Sequence, residues 1–250
     1  MHAKRVSLIG SGTAFATLLS DRLVRTSLSD FAEAFSGVLG LPCALVEMLL
    51  LVEDKRFPTH IGVDIFGVMR ALMANPRKDV LQGASTISQQ IFTMRRLACT
   101  RMQPNRTVLF KIQQAWWAIY HETRSCKVDI LAEYVNKVYV GRSHRGLKQA
   151  ALGYFTIPVS EVSAAQAFFL AERIGSPNVI RPGRLLNLMA RVAIQDYFLR
   201  YSTNETSVVE VYRSVYGNDQ KLQDLDRRRD SAEEAKARHV IISSTQLDSL

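Results

Sequence analysis

The chain has 250 residues, 47% of them apolar, and a formal net charge of +9 with a pI near 9.7, which is enough for one fair-sized domain, alone or with a tail. The basic balance favours anionic partners such as pyrophosphates or lipid headgroups; no Lys/Arg run is interleaved with aromatics, so nucleic acid is not expected as a partner. The cysteines, Cys43, Cys99 and Cys126, are odd in number and far apart, which excludes a zinc or disulfide framework and reads as free buried thiols, and no run approaches the ~18 apolar residues of a membrane-spanning helix.

Residues 1–29 show no sustained period. Lys4 and Arg5 precede a diluted apolar patch from Val6 to Leu19, at best a poor secretory signal, and no clear anchor stands out. Ser29-Asp30 predicts a cap for a short helix through Phe31 and Phe35, broken by Gly37, Gly40 and Pro42. Leu41-Pro42 then opens an apolar helix carrying Val46, Leu49 and Leu50 and ending at Glu53-Asp54, where Pro58 and Gly62 force a turn. A carboxylate at the mouth of an apolar helix is partly desolvated, which raises its pKa and suits a general base.

Asp64 to Ala74 reads as an amphipathic helix with Ile65, Val68, Met69 and Leu72 on one stripe, ended by Asn75-Pro76. Ser85 is the expected N-cap of a helix from Thr86 to about Leu97, with Ser85 and Gln89 on one face; Gln89 and Gln90 can each donate and accept, which suits sugar hydroxyls. Arg95, Arg96, Arg101 and Arg106 punctuate the end of that helix and the loop containing Gln103-Pro104-Asn105. The longest helical pattern runs from Thr107 to about Arg124. Its Val108, Ile112, Ala115, Trp116, Ile119 and Tyr120 predict a helix central to the core, with Trp116 and Trp117 as core and rim. Further helices are predicted over 127–136, 146–155, 160–174 (rich in small residues that allow close packing) and 185–199. Residues 202–250 read as a charged tail in which 224–238 is an exposed helix or disordered.

Two stretches carry a family resemblance. Glu53-Asp54, Phe57, His60 and Gly62 occupy every fixed position of the first motif of the peptidoglycan glycosyltransferases, the transglycosylase domain of class A penicillin-binding proteins and monofunctional transglycosylases (glycosyltransferase family 51). Gly83, Ser85-Thr86-Ile87 and Gln89-Gln90 complete the second. Lys111 falls in the third motif. Lys127, Ile130, Leu131, Glu133, Tyr134 and Asn136 match the fourth, and the resemblance extends over 30–201. It implies a mainly α, lysozyme-like domain with a larger lobe and a small membrane-facing lobe, in the cell envelope on the outer face of the cytoplasmic membrane. The partners it implies are a lipid-linked peptidoglycan precursor, the growing glycan strand and the membrane surface.

The implied chemistry is inverting glycosyl transfer, in which a sugar 4-hydroxyl attacks an anomeric carbon and a polyprenyl pyrophosphate departs. The leaving group needs charge neutralisation, by Lys, Arg or a divalent cation such as Mg or Mn; the hydroxyl needs a base. By resemblance Glu53 is the base, Asp54 orients it, and Lys111 and Arg106 face the pyrophosphate. Phe57, His60, Gly62, Ser85, Thr86, Gln89, Gln90, Lys127, Glu133 and Asn136 are the expected substrate-binding set. The sequence departs from the family at Gln114 (family Glu), Thr93 (family Lys) and Phe110 (family Arg). Three readings stay open: a glycan polymerase, in which Gln114→Glu and Thr93→Lys are expected to raise activity; a non-catalytic envelope binding relative; and a lysozyme-like hydrolase, disfavoured because most glycosidases use two carboxylates.

Overall fold

The computed structural model describes residues 28–74, 85–100, 107–217 and 219–229. The chain divides into two compact units, one ending at Val138 and the other beginning at Tyr139. The architecture is mainly α, of the lysozyme-like class, with a single two-stranded antiparallel pair among the described residues.

The first unit contains α1 (Leu28–Leu39), α2 (Cys43–Glu53), α3 (Ile65–Ala74), α4 (Ile87–Thr100), α5 (Val108–Glu122) and α6 (Lys127–Lys137). α1 packs on α2 and α6, and α4 packs on α5 and α6. α1 passes through Gly37 and stops at Gly40, whose φ of +60° lets Leu41 N–H reach back to Ser36 O at 3.1 Å, the Schellman closure that glycine permits.

α2 is the core helix. Leu45, Val46, Met48, Leu49 and Leu50 are fully buried, each contributing on the order of 2 kcal/mol through removal of apolar surface from water. The central place expected for the 107–124 helix therefore belongs to α2. α5 turns Phe110, Gln114 and Ala118 inward, four residues apart on one face. Val108, Leu109, Ile112, Ile119, Tyr120 and Trp116, the last 74% exposed, face outward. Trp117 lies between, stacked on His121 at 4.5 Å with the Arg95 guanidinium 5.1 Å from its ring. Apolar periodicity located the stripe but not the side that is buried, because the inward face carries Gln114, which α4 supplies with hydrogen-bond partners.

The second unit contains β1 (Tyr139–Gly141), β2 (His144–Arg145), α7 (Leu147–Phe155), a 3-10 turn (Val159–Glu161), α8 (Ala164–Gly175), α9 (Pro182–Met189), α10 (Val192–Arg200) and α11 (Glu205–Tyr216). α8 opens with a full capping box between Ser163 and Gln166 and packs on α11 and β1. The single helix expected over 185–199 is two helices, separated at Ala190-Arg191, where no glycine or proline marks the break. Helical packing continues past the boundary expected at 201: Val208, Val209 and Tyr212 of α11 are buried, as are Leu222 and Leu225 in the helical stretch 220–229. Glu172 and Arg173, an adjacent buried ion pair, are closed over by Tyr212, whose hydroxyl donates to Glu172 Oε2 at 2.6 Å.

The three cysteines are free, but Cys99 is exposed and Cys43 and Cys126 are half-buried, so the expected burial holds for none of them completely. Arg106, Gly83, and residues 1–27 and 230–250 of the end segments lie outside the described residues.

Candidate active site

The site grows from the end of α2. The helix stops at Asp54, whose φ of −156° leaves the helical region, so the consecutive carboxylates Glu53 and Asp54 enter different surroundings. Asp54 turns inward. Its Oδ2 accepts from the Ile87 N–H at 2.9 Å, at the first turn of α4, where unpaired amides and the helix dipole favour a negative charge. Both its oxygens lie 3.0 Å from His60 Nε2. His60 Nδ1 accepts from Gly62 N–H at 3.2 Å, which leaves the proton on the nitrogen facing Asp54. Asp54 therefore joins α2, the turn after it and α4.

Gly62 is the only residue type that fits its place. Its φ is +88°, and a Cβ would stand 2.5 Å from the Ala118 carbonyl carbon of α5. The Gly62 carbonyl accepts from Thr86 Oγ1 at 2.6 Å. Thr86, rather than the expected Ser85, caps α4. Its Oγ1 accepts from Gln89 N–H at 3.2 Å, and its own N–H donates to Gln89 Oε1 at 3.0 Å, a reciprocal capping box. Gln89 is thus committed to its helix start and buried. Ser85 is released from capping and accepts from Lys111 Nζ at 2.9 Å.

Glu53 is held from the facing helix. Gln90 Nε2 donates to Glu53 Oε2 at 2.9 Å, and Tyr134 Oη donates to Gln90 Oε1 at 2.7 Å. Lys111 is the cation of this half of the site, half-buried and held by Ser85 and by Gln114 Oε1 at 3.1 Å. Gln114 is filled on its other side: its amide donates to Gln89 O at 2.9 Å and to Thr93 Oγ1 at 2.8 Å. Gln114 and Thr93, two of the three positions read from sequence as departures, are thus hydrogen-bonded to each other. Arg96 lies 5.6 Å over the ring of Phe110, the third departure.

The remaining expected site residues are engaged by partners within the protein. Phe57 is fully buried beneath Lys127, whose Nζ lies 4.4 Å from the ring centroid. Lys127 Nζ donates to His60 O and to Glu122 Oε2, each at 2.6 Å. Burial pulls its pKa down, against the opposing pull of Glu122. Glu133 is taken by Arg95 and Lys137. The Arg95 bonds hold its carboxyl at about 2 against the raising effect of burial, so Arg95 is engaged on α6. Asn136 is exposed and donates to Ala132 O of its own helix; no described contact joins it to the Glu53 cluster.

Glu122 escaped the sequence reading, and Tyr134 was matched to the fourth motif without being placed in the site. Glu122 ends α5 and ties Lys127, Ser88 Oγ and, at 3.8 Å, His60 together. A glutamate one residue before the Thr123-Arg124 helix end, continuing the face of Phe110, Gln114 and Ala118 at a spacing of four, is the signal that marks Glu122.

Scaffold and cluster together place the chain in the lysozyme-like class of helical domains. Within that class it belongs to the transglycosylase family, whose model matches residues 25–198. Its relatives include penicillin-binding protein 1A of Streptococcus pneumoniae, 30% identical over 167 residues, which are 67% of this chain and 22% of that protein. They also include penicillin-binding protein 1B of Escherichia coli, 34% identical over 150 residues (58% and 17%), and that of Haemophilus influenzae, 32% over 172 (66% and 21%). The chain spans about a fifth of the length of these curated relatives.

Proposed function

We propose that this chain polymerises a lipid-linked disaccharide-peptide into peptidoglycan strands by inverting glycosyl transfer, with Glu53 as general base. The observation that carries the reading is the separation of the carboxylate pair. Asp54 is consumed inside by His60 and the α4 amide, while Glu53, half-buried, is presented at the helix mouth with one oxygen steadied by Gln90. A steadied carboxylate can take the proton of an acceptor 4-hydroxyl as that oxygen attacks the anomeric carbon. The departing pyrophosphate needs no proton, and Lys111 supplies positive charge for it.

A divalent cation (Mg or Mn) enters this proposal only as a companion of the pyrophosphate, since Mg binds through one or two carboxylates and substrate phosphates rather than an all-protein cage. Among the described residues no three His, Cys, Asp or Glu side chains converge, and Gln114 turns its carbonyl to Lys111. Any such ion would arrive with the pyrophosphate, and no step here runs through it.

The substrate's lipid implies a membrane surface, on the outer face in an envelope enzyme. No helix among the described residues is long and apolar enough to cross a membrane. The outward stripe of α5 and the exposed Ile61, Ile65, Phe66 and Met69 at and before α3 support surface seating. Arg124 over Tyr120 (4.6 Å) and Arg56 over Phe66 (5.4 Å) set cations beside that apolar surface, as an anionic bilayer favours.

The test is incubation of the purified chain with labelled lipid-linked disaccharide-pentapeptide in detergent or vesicles. Long glycan strands with release of polyprenyl pyrophosphate support the reading. Substrate binding without product would move it to a non-catalytic relative, and cleavage of preformed strands to a hydrolase.

A further inference from the structure

We infer that Tyr134 is the residue that sets the working state of Glu53, acting through the orientation of the Gln90 side-chain amide; as a statement about the catalytic base, this rests on the proposed function. A glutamine amide can sit either way round, presenting oxygen or nitrogen to a neighbour. Here the choice is fixed from below. Tyr134 is completely buried on α6, and α6 packs against α4. Its phenol stays protonated: burial raises its pKa well above the usual value, and the negative charges of Glu53 and Asp54 add to the effect. The phenol therefore has a proton to place, and it donates to Gln90 Oε1 at 2.7 Å. That leaves Gln90 Nε2 to face Glu53 Oε2 at 2.9 Å.

This orientation favours one protonation state of Glu53. An amide N–H donates well to a carboxylate, and poorly to the hydroxyl of a carboxylic acid. If the amide turned over, its oxygen would accept from a protonated Glu53, and the acid form would be favoured. Turning over would also strip the buried Tyr134 hydroxyl of its acceptor, so Tyr134 penalises the acid-friendly orientation. The device favours the carboxylate through two neutral groups, the Gln90 amide and the Tyr134 phenol. The other titratable groups of the cluster are Asp54 and His60 on the turn, Lys111 and Glu122 on α5 and Lys127 on α6; Tyr134→Phe alters none of them.

The test uses the full chain with glutamate labelled by 13C at the carboxyl carbon. The Glu53 signal is assigned by its loss in Glu53→Gln and titrated in the wild type, Tyr134→Phe, Gln90→Leu and the double variant. The expected result is a Glu53 midpoint about one pH unit higher in Tyr134→Phe, the size of one charge-assisted hydrogen bond, with no further change when Tyr134→Phe is added to Gln90→Leu. The acid limb of the polymerisation pH profile should move up by the same amount. A shift below about 0.2 unit, or an equal shift in the Gln90→Leu background, overturns the inference. Because the carboxyl titration needs no turnover, it decides the Tyr134–Gln90 connection even if no polymer forms, an outcome that would instead defeat the proposed function. Unchanged far-UV circular dichroism and a single cooperative melt well above the titration temperature in Tyr134→Phe establish that the shift is not a folding effect.

Discussion

Replacing Gln114 by glutamate restores the residue type expected from the family resemblance, but the hydrogen bonds of Gln114 reverse the gain in activity expected from sequence and predict that, alone, the change does harm. The amide of Gln114 donates to Gln89 O at 2.9 Å and to Thr93 Oγ1 at 2.8 Å, while its oxygen accepts from Lys111. Its orientation is forced, because a backbone carbonyl only accepts and an ammonium only donates. A carboxylate here can keep Lys111, and Thr93 can turn its hydroxyl to donate. Gln89 O is left facing another acceptor in a buried place. Losing that bond and setting two oxygens against each other costs about 1–3 kcal/mol, offset in part by a stronger pairing with Lys111. The net expectation is a loss of about 1–2 kcal/mol, or roughly 2–8 °C in melting temperature for a domain of this size. The new carboxylate also draws Lys111 away from Ser85 and lowers polymerisation. Thr93→Lys alone sets an ammonium against the donor side of the Gln114 amide and is likewise destabilising. The double variant brings the two charges together and recovers. A thermodynamic cycle over the four proteins should therefore give a coupling of about 1 kcal/mol or more, with polymerisation following the same non-additive pattern. Additivity within about 0.3 kcal/mol, or a Gln114→Glu variant as stable and active as the wild type, would refute the reasoning.

Gly62→Ala forces a side chain into a backbone at φ +88° and 2.5 Å from Ala118; it should cost several kcal/mol in chemical denaturation, and a loss under 1 kcal/mol would contradict the close approach. Glu133 has a folded-state pKa of about 2, below its ordinary 4.5, so its stabilising contribution is complete above about pH 4.5 and is lost as pH falls toward 2; Glu133→Gln should flatten that part of the melting-temperature profile, and parallel wild-type and variant profiles would count against the Arg95 pairing. Ile112→Ser with Trp116→Ser removes exposed apolar surface from α5. It should weaken co-sedimentation with anionic lipid vesicles several-fold at unchanged melting temperature, and undiminished binding would remove α5 from the proposed membrane seat.

The mainly α class and the helix that ends in Glu53-Asp54 were legible because an apolar run closed by two carboxylates, a proline and a glycine has few other solutions. The same local logic failed on α5. Its apolar residues outnumber its polar ones, and a periodic stripe carries no label for inside; only the partners of Gln114 and Glu122, on α4 and α6 and distant or separately folded in sequence, reveal that the polar face is the buried one. Ser85 and Thr86 are both good caps in isolation. The choice of Thr86 depends on the Gly62 carbonyl, 24 residues away. Sequence also could not show which partners within the chain these motif residues take: His60 contacts Asp54, Lys127 contacts the His60 carbonyl, and Gln89 closes the start of α4. The break at Ala190-Arg191 carries no breaker residue and had no local signal.

The central claim is that Glu53 is the base of a strand-forming reaction, and the most direct test compares the wild type with Glu53→Gln. Both should melt at the same temperature and bind the lipid-linked disaccharide-pentapeptide with similar affinity. Glycan strands are expected from the wild type and a rate at least about 100-fold lower from the variant, the usual loss on removing a general base. Strand formation by Glu53→Gln at a rate comparable to the wild type would contradict it.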